Sequence, residues 1–174
     1  MGRFKKKDTD DESHILDSTI AKVHQHASGG VGGKAINGIG KTRGGWGTKI
    51  HAVVDGLGYP IDIKITEGQR NDCTQALELL RDKISENVIA DTAYDTDEIR
   101  NFLEQTDRNA VIPNSANRSQ KHSIDRHTYK ERHLVENFFQ KIKNLRRIAT
   151  RYEKTLQMFQ GMVLIACALV YLMF

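Results

Sequence analysis

Three carboxylates stand out by their surroundings. Asp17 lies inside His14-Ile15-Leu16-Asp17-Ser18-Thr19-Ile20, otherwise a buried-strand pattern, and Asp91 ends the short apolar run Asn87–Ala90. A carboxylate so placed costs free energy unless a cation, a set of hydrogen bonds or a metal compensates it. Taken singly, either acid is accounted for by a buried salt bridge. Glu136 has more company. On a helix turning about 100° per residue, Tyr129, Arg132, Glu136 and Lys143 fall at about +20°, −40°, 0° and −20°, within one stripe. Leu134, Phe138, Ile142 and Leu145 occupy the broadly opposite stripe, with Val135 and Phe139 on its flanks. Such a helix can pack by its apolar side and present an acid flanked by two cations and a phenol. The plainer alternative is an exposed ion-pair stripe in which Arg132 and Glu136 form an i,i+4 pair.

The sum of these features suits one chemistry. Hard divalent cations take oxygen ligands, and Mg²⁺ accepts a few carboxylates while keeping its other positions for water and phosphate. Two such ions can activate an attacking oxygen and stabilise a leaving one in an in-line phosphoryl displacement. Arg and Lys beside them would hold a nucleic-acid backbone.

Charge distribution is consistent with that partner. The 174-residue chain has 26 Lys plus Arg against 22 Asp plus Glu, a formal charge of +4. Residues 1–116 carry a net −3 and residues 117–174 a net +7. A basic stretch of this kind fits a polyanion or, equally, a solvated helix face. The length fits one domain. With 39% apolar residues and two prolines, a wholly disordered or collagen-like chain is excluded. Two cysteines cannot build a disulfide framework or a Cys-based zinc site, so the chain reads as cytoplasmic. No secretory signal opens it.

The elements that must position the acids follow from periodicity. Residues 1–13 are charged and expected to be flexible, and residues 14–174 form one domain. Strands are expected at His14–Ile20, Thr48–Val54 and Tyr59–Thr66, the last two forming a hairpin about Asp55-Gly56-Leu57-Gly58. Ser28–Gly47 holds nine of the 14 glycines and reads as a long mobile loop. A helix capped by Asp72 precedes the strand Asn87–Ala90. A helix capped by Asp95 or Thr96 runs to about Gln105, and a short strand at Ala110–Ile112 stops at Pro113. One helix is expected from His127 to Arg147, and a last one from Glu153 to the terminus. That order gives an α/β fold with a mixed sheet.

Three other features carry less. Ala35–Thr42 approaches a phosphate-binding loop, but Ala35 replaces the first glycine and no strand precedes it directly. Lys41, Arg43 and Lys49 around it can meet a phosphate backbone instead. His24 and His26 share a strand face, yet no third ligand sits at a compact spacing, so hydrogen-bonded or surface histidines are the reading. The apolar run Met162–Phe174 has 13 residues, short of the roughly 20 that span a membrane, and reads as a buried helix.

The motifs resemble bacterial insertion-sequence transposases of the DDE type, in the superfamily named for insertion sequences four and five. That family's last catalytic helix carries Tyr, two residues, Arg, three, Glu, six, Lys, matched by Tyr129, Arg132, Glu136 and Lys143. Asp91-Thr-Ala93-Tyr94 is similar to the motif around the second acid, with Tyr94 following Ala93 immediately. Asp17-Ser18-Thr19 is similar to the strand of the first. Thr42–Gly45, Thr48–His51 and Glu67–Asp72 also resemble the family. The resemblance implies an RNase H-like sheet flanked by helices, and cutting and joining of transposon DNA ends. Asp17, Asp91 and Glu136 would be catalytic ligands of two Mg²⁺ or Mn²⁺ ions, with Tyr129, Arg132 and Lys143 contacting DNA near the cleaved phosphate. Implied partners are double-stranded DNA at transposon ends and target, an upstream transposase reading-frame product, and further copies of the chain on DNA, with no membrane. Only 16 residues precede Asp17, where family members carry a region that recognises terminal repeats. The expectation is therefore a catalytic portion, and the alternative a non-catalytic, DNA-binding regulatory fragment.

Overall fold

A computed structural model describes residues 12–173. Most of the charged segment 1–13 lies outside them, and Ser13 already opens the first strand. The chain runs β1 (Ser13–Val23), a 3₁₀ turn (Gln25–Gly29), α1 (Gly33–Ile36), β2 (Gly40–Thr42), β3 (Gly45–Val54) and β4 (Pro60–Glu67). It continues through α2 (Cys73–Leu80), β5 (Asn87–Ile89), a 3₁₀ turn (Thr92–Tyr94), α3 (Asp97–Gln105) and β6 (Asn109–Val111). The last part comprises α4 (Arg126–Tyr129), a 3₁₀ turn (Lys130–Arg132), α5 (His133–Lys143), α6 (Arg146–Ala149), β7 (Thr150–Arg151) and α7 (Leu156–Met173).

β1 is the axis of a mixed sheet. β3 lies antiparallel on one side of it, with β2 and β4 sharing β3's outer edge, while β5 and β7 lie parallel on the other side and β6 beyond β5. Side chains alternate faces along a strand, and β1 shows it. Ile15 and Ala21 pack with Ile50, Ala52 and Ile89 beneath Phe138 and Ile142 of α5 and Phe159 and Val163 of α7. Leu16 packs with Val53, Val88 and Ala90 beneath Leu79 and Leu80 of α2 and Ile99 and Leu103 of α3. This is the mixed α/β, RNase H-like sheet flanked by helices.

The glycine-rich segment is not the long mobile loop that composition suggested. It folds as α1 and the β2–β3 hairpin, pinned from the far end of the chain. Arg151, fully buried, donates from Nη1 to Asn37 O at 2.8 Å and to Thr48 Oγ1 at 2.7 Å, and Thr48 Oγ1 donates to Gly38 O. Asn37 Nδ2 donates to Val31 O and Gly33 O. Glycine serves close approach here: a Cβ on Gly30 would stand 2.5 Å from Lys154 O.

The expected helix over 127–147 is divided. The 3₁₀ turn at Lys130–Arg132 separates α4 from α5, and the chain leaves α5 after Lys143. Leu145 takes an extended conformation (φ −77°, ψ 111°) so that Ile148 of α6 reaches the core. Leu145 itself is 37% exposed rather than part of the apolar stripe. Thr96, not Asp95, caps α3 through its bond from Ile99 N. Asp95 instead accepts from Arg100 Nε at 2.6 Å, Arg118 Nε at 2.8 Å and Ser115 N at 2.6 Å, tying the segment after β6 to α3. Burial opposes its charge, but these donors win and hold its carboxyl below the usual range. α7 starts three residues after the expected Glu153, and no helix among the described residues is long and apolar enough to cross a membrane.

Replacing Arg151 by Met removes the donors of Asn37 O and Thr48 Oγ1 while keeping most of the volume. The expected loss is about 2–3 kcal/mol, read as a lower urea midpoint at unchanged slope. Amide exchange should accelerate more in α1 and β2 than in α2.

Candidate active site

The parallel register of β1 and β5 brings the first two acids together. Ile15 pairs with Ile89, and both face the core under α5. Two residues on from that pair stand Asp17 in β1 and Asp91 just past the end of β5, where strand alternation turns both toward that face. Asp91 continues the extended backbone (φ −81°, ψ 177°) as β5 ends, and its Oδ1 accepts Ala93 N–H at 2.8 Å, capping the 3₁₀ turn.

Helix α5 supplies the third acid from above. Glu136 stands in its first turn, where negative charge is favoured by the helix dipole. Arg132, just before α5, spans the gap to the sheet: one Nη donates to Glu136 Oε1 and the other lies 3.5 Å from Asp17 Oδ2. Seven residues beyond Glu136, Lys143 Nζ donates to Thr19 Oγ1 at 2.6 Å. The helix is thus tied to β1 at two levels on one face, Asp17 and Thr19. Tyr129 is half-buried against the core under α5, near enough to Arg132 to influence its charge.

Electrostatics single out Asp17. Burial raises its pKa to about 6, against a bond from Ser18 N–H at 2.7 Å; the charges of Asp91 and Glu136 raise it further and Arg132 lowers it. Partial burial likewise pushes the Lys143 ammonium below its usual range. The three acids therefore share one electrostatic site, with Arg132 as the cation now between two of them.

The remaining expected contacts lie elsewhere. Arg43 is exposed on the turn of the β2–β3 hairpin. Asp17 pairs with Ala52 and Lys22 with Gly47, so that turn lies beyond a point about 17 Å along the sheet from Asp17. Lys49 is turned inward: its Nζ donates to Arg70 O at 2.8 Å and pairs with Asp72 at 3.1 Å. His51 is buried, Nε2 against Thr66 Oγ1 at 2.8 Å, and burial pushes its pKa down to about 4, leaving it neutral at pH 7. His24 and His26 are in ring contact with each other, matching the reading of them as surface histidines.

Sequence reasoning missed Thr19 and the support behind Asp91. Thr19 carried a signal, since it follows Asp17 by two on a strand. Cys73 Sγ, at the start of α2, donates to Ala93 O at 2.8 Å, and Tyr94 is buried beneath the sheet. Those contacts hold the turn that Asp91 caps, and nothing in their spacing announces them.

The donor set fits a hard cation: three carboxylates coupled on one face of the sheet, one of them only partly compensated for its burial. Among the described residues no three metal-ligating side chains already form a cage. A cation would engage Asp17 and Glu136 only as Arg132 moves aside.

With this geometry in view, kinship is clear. The transposase DDE domain family matches residues 9–171, and the chain belongs to that family. It is 49% identical over 127 residues to a protein of Brucella ovis described as a transposase for insertion sequence element IS6501, covering 72% of this chain and 98% of that protein. Its fold matches piggyBac transposase, solved by cryo-EM as a synaptic complex with hairpin DNA, at a TM-score of 0.55 and 16% identity. That match covers 89% of this chain and 45% of the piggyBac chain, so this chain spans under half of that protein's length.

The raised pKa of Asp17 makes a stability prediction with a definite sign. Below about pH 3 the carboxyl is protonated folded and unfolded, and burial costs nothing extra. Between about pH 4 and 6 the unfolded chain ionises first, so this group's contribution to stability is lost as pH rises and levels off above about 6. In metal-free buffer, Asp17→Asn should therefore stabilise the protein at pH 7, on the order of 2 kcal/mol. The gain should shrink through pH 4 and vanish by about pH 3, as read from unfolding midpoints across that range.

Proposed function

We propose that this chain is the catalytic domain of an insertion-sequence transposase, cutting and joining DNA at the element's ends with two Mg²⁺ or Mn²⁺ ions. The observation that carries the reading is the electrostatic coupling of Asp17 with Asp91 and Glu136 on the α5 face of the sheet, with Arg132 bridging Asp17 and Glu136 and Lys143 anchored two residues along β1. Membership of the DDE family supports it, as does the DNA-bound state of the piggyBac neighbour.

Asp17, Asp91 and Glu136 would hold the metal. Divalent ions bound there supply a more acidic attacking oxygen and stabilise the leaving one. The chain's own residues do the rest. Arg132 exchanges its carboxylate partners for a phosphate, which keeps a guanidinium at the reacting group before and after DNA arrives. Lys143, fixed by Thr19, sets a second positive charge further along β1. Tyr129 steadies Arg132 from the helix side and lines the path of the backbone. Arg43 can meet the duplex at a distance, and Lys49 joins that set only by releasing Asp72. Partners are double-stranded DNA at element ends and target, with copies of the chain assembling on it.

Incubation with element-end DNA and Mn²⁺ or Mg²⁺ should give nicked and joined products. Glu136→Gln, Asp17→Asn and Asp91→Asn should each lower that rate by roughly 10³-fold while DNA binding persists. Equal activity in wild type and Glu136→Gln would sink the catalytic assignment. Binding without any cleavage would favour a regulatory DNA-binding fragment instead.

Binding offers a separate check. Lys143→Ala should weaken binding to all sequences alike and reduce the slope of log affinity against log salt by about 1.

A further inference from the structure

At the far end of β1 from the acids is an aromatic surface that no part of the proposed chemistry uses. The rings of His24 and Tyr152 are stacked, centroids 4.6 Å apart and planes at 28°, and His26 meets His24 edge-on at 4.6 Å. Tyr152 is 44% exposed, yet its neighbours in the chain are among the most firmly held residues of the protein. Arg151 is fully buried in the bonds described above. Glu153 is 5% exposed, accepts from Arg147 Nε at 2.7 Å and also receives Tyr152 N–H. β7 pairs in register with Lys22 and Val23, and His24 N donates to Arg151 O at 2.9 Å. The exposed Tyr152 ring, backed by the half-buried His24 on so rigid a mount, can bind a planar group with little loss of side-chain freedom.

Its surroundings name the planar group. Lys22 and Lys154 are exposed and lie two residues from His24 and Tyr152 in the chain, Lys22 also pairing with the strand that leads into Tyr152. Flat aromatic faces interleaved with cations are the pattern that takes unpaired nucleotides, by stacking on bases and by attraction to the phosphates between them. Seven residues of strand separate Asp17 from His24, about 23 Å of rise, or about seven base steps of duplex. The platform is thus remote from the acids, and the odd separation turns His24 toward the other face of the sheet, so DNA that reaches both passes around the end of β1.

We propose that the His24–Tyr152 pair is a stacking platform for single-stranded nucleotides flanking the DNA held at the acids; this rests on the DNA-binding reading above. Duplex bases are already stacked on one another, so the platform selects DNA with an unpaired tail over a blunt duplex of the same sequence.

The test compares the whole chain on a blunt duplex and on the same duplex with a single-stranded tail carrying 2-aminopurine. Wild type should bind the tailed DNA roughly 10-fold more tightly and change the 2-aminopurine fluorescence. Tyr152→Ala and His24→Ala should abolish that preference and the fluorescence change, leaving blunt-duplex binding as it was. Tyr152→Phe should retain both, since the ring is kept. Equal wild-type affinity for the two DNAs, or an undiminished preference in Tyr152→Ala, overturns the platform while the DNA reading stands. Failure of wild type to bind either DNA overturns both. A Tyr152→Ala protein that loses blunt-duplex binding equally, with its unfolding midpoint lowered, assigns Tyr152 a packing role and also overturns the platform.

Discussion

The pairing of β1 on both flanks is the constraint from which the rest follows. A strand hydrogen-bonded on two sides cannot slide by one residue without turning every side chain to the opposite face. The antiparallel register with β3 and the parallel register with β5 are therefore set together, and with them the level at which Asp17 and Asp91 meet. Helices on both faces then have a fixed bed, and α5 can place Glu136 over the same point. Three residues widely separated in sequence become neighbours through one strand's register.

Position alone leaves an electrostatic imbalance that the fold tolerates rather than removes. Ile15 and Ala21 on the same face of β1 belong to the apolar core, so Asp17 is more desolvated than a surface acid. Arg132 compensates only part of this, because its own partner Glu136 is exposed to water and shares the guanidinium. A fully apolar residue at position 17 would suit the core better. The site keeps an acid whose ionic form is held at a disadvantage, a local conflict of the kind expected where function overrides packing.

Much of this was legible in the sequence, and the limits are instructive. An acid interrupting an apolar strand, another ending one, and a Tyr-Arg-Glu-Lys spacing were visible because each breaks a short-range pattern. The order of the longer strands and helices along the chain followed from alternation and helix periodicity. The segment from Ser28 to Gly47 was misread because glycine content signals backbone freedom, whereas here Gly30 admits the close approach of Lys154 and the order comes from Arg151, more than a hundred residues away. The break before α5 was equally hidden. Lys130–Arg132 has ordinary helix formers, so nothing in its composition marks the 3₁₀ turn that divides α4 from α5. Lys49 looked like a free cation because its partners, Arg70 O and Asp72, arrive from beyond β4.

Arg151 also has a meaning in time. Its bonds to Asn37 and Thr48 join segments 114 and 103 residues apart in the chain. Contacts of such span close late, because the loop entropy between them must first be overcome by nearer pairings. As the chain leaves the ribosome from its N-terminus, β1, β3 and β5 can pair and align Asp17 with Asp91 while α1 and β2 still await the guanidinium that fixes them. Asp17 and Asp91 are thus aligned first, and α1 and β2 are fixed only once Arg151 has followed.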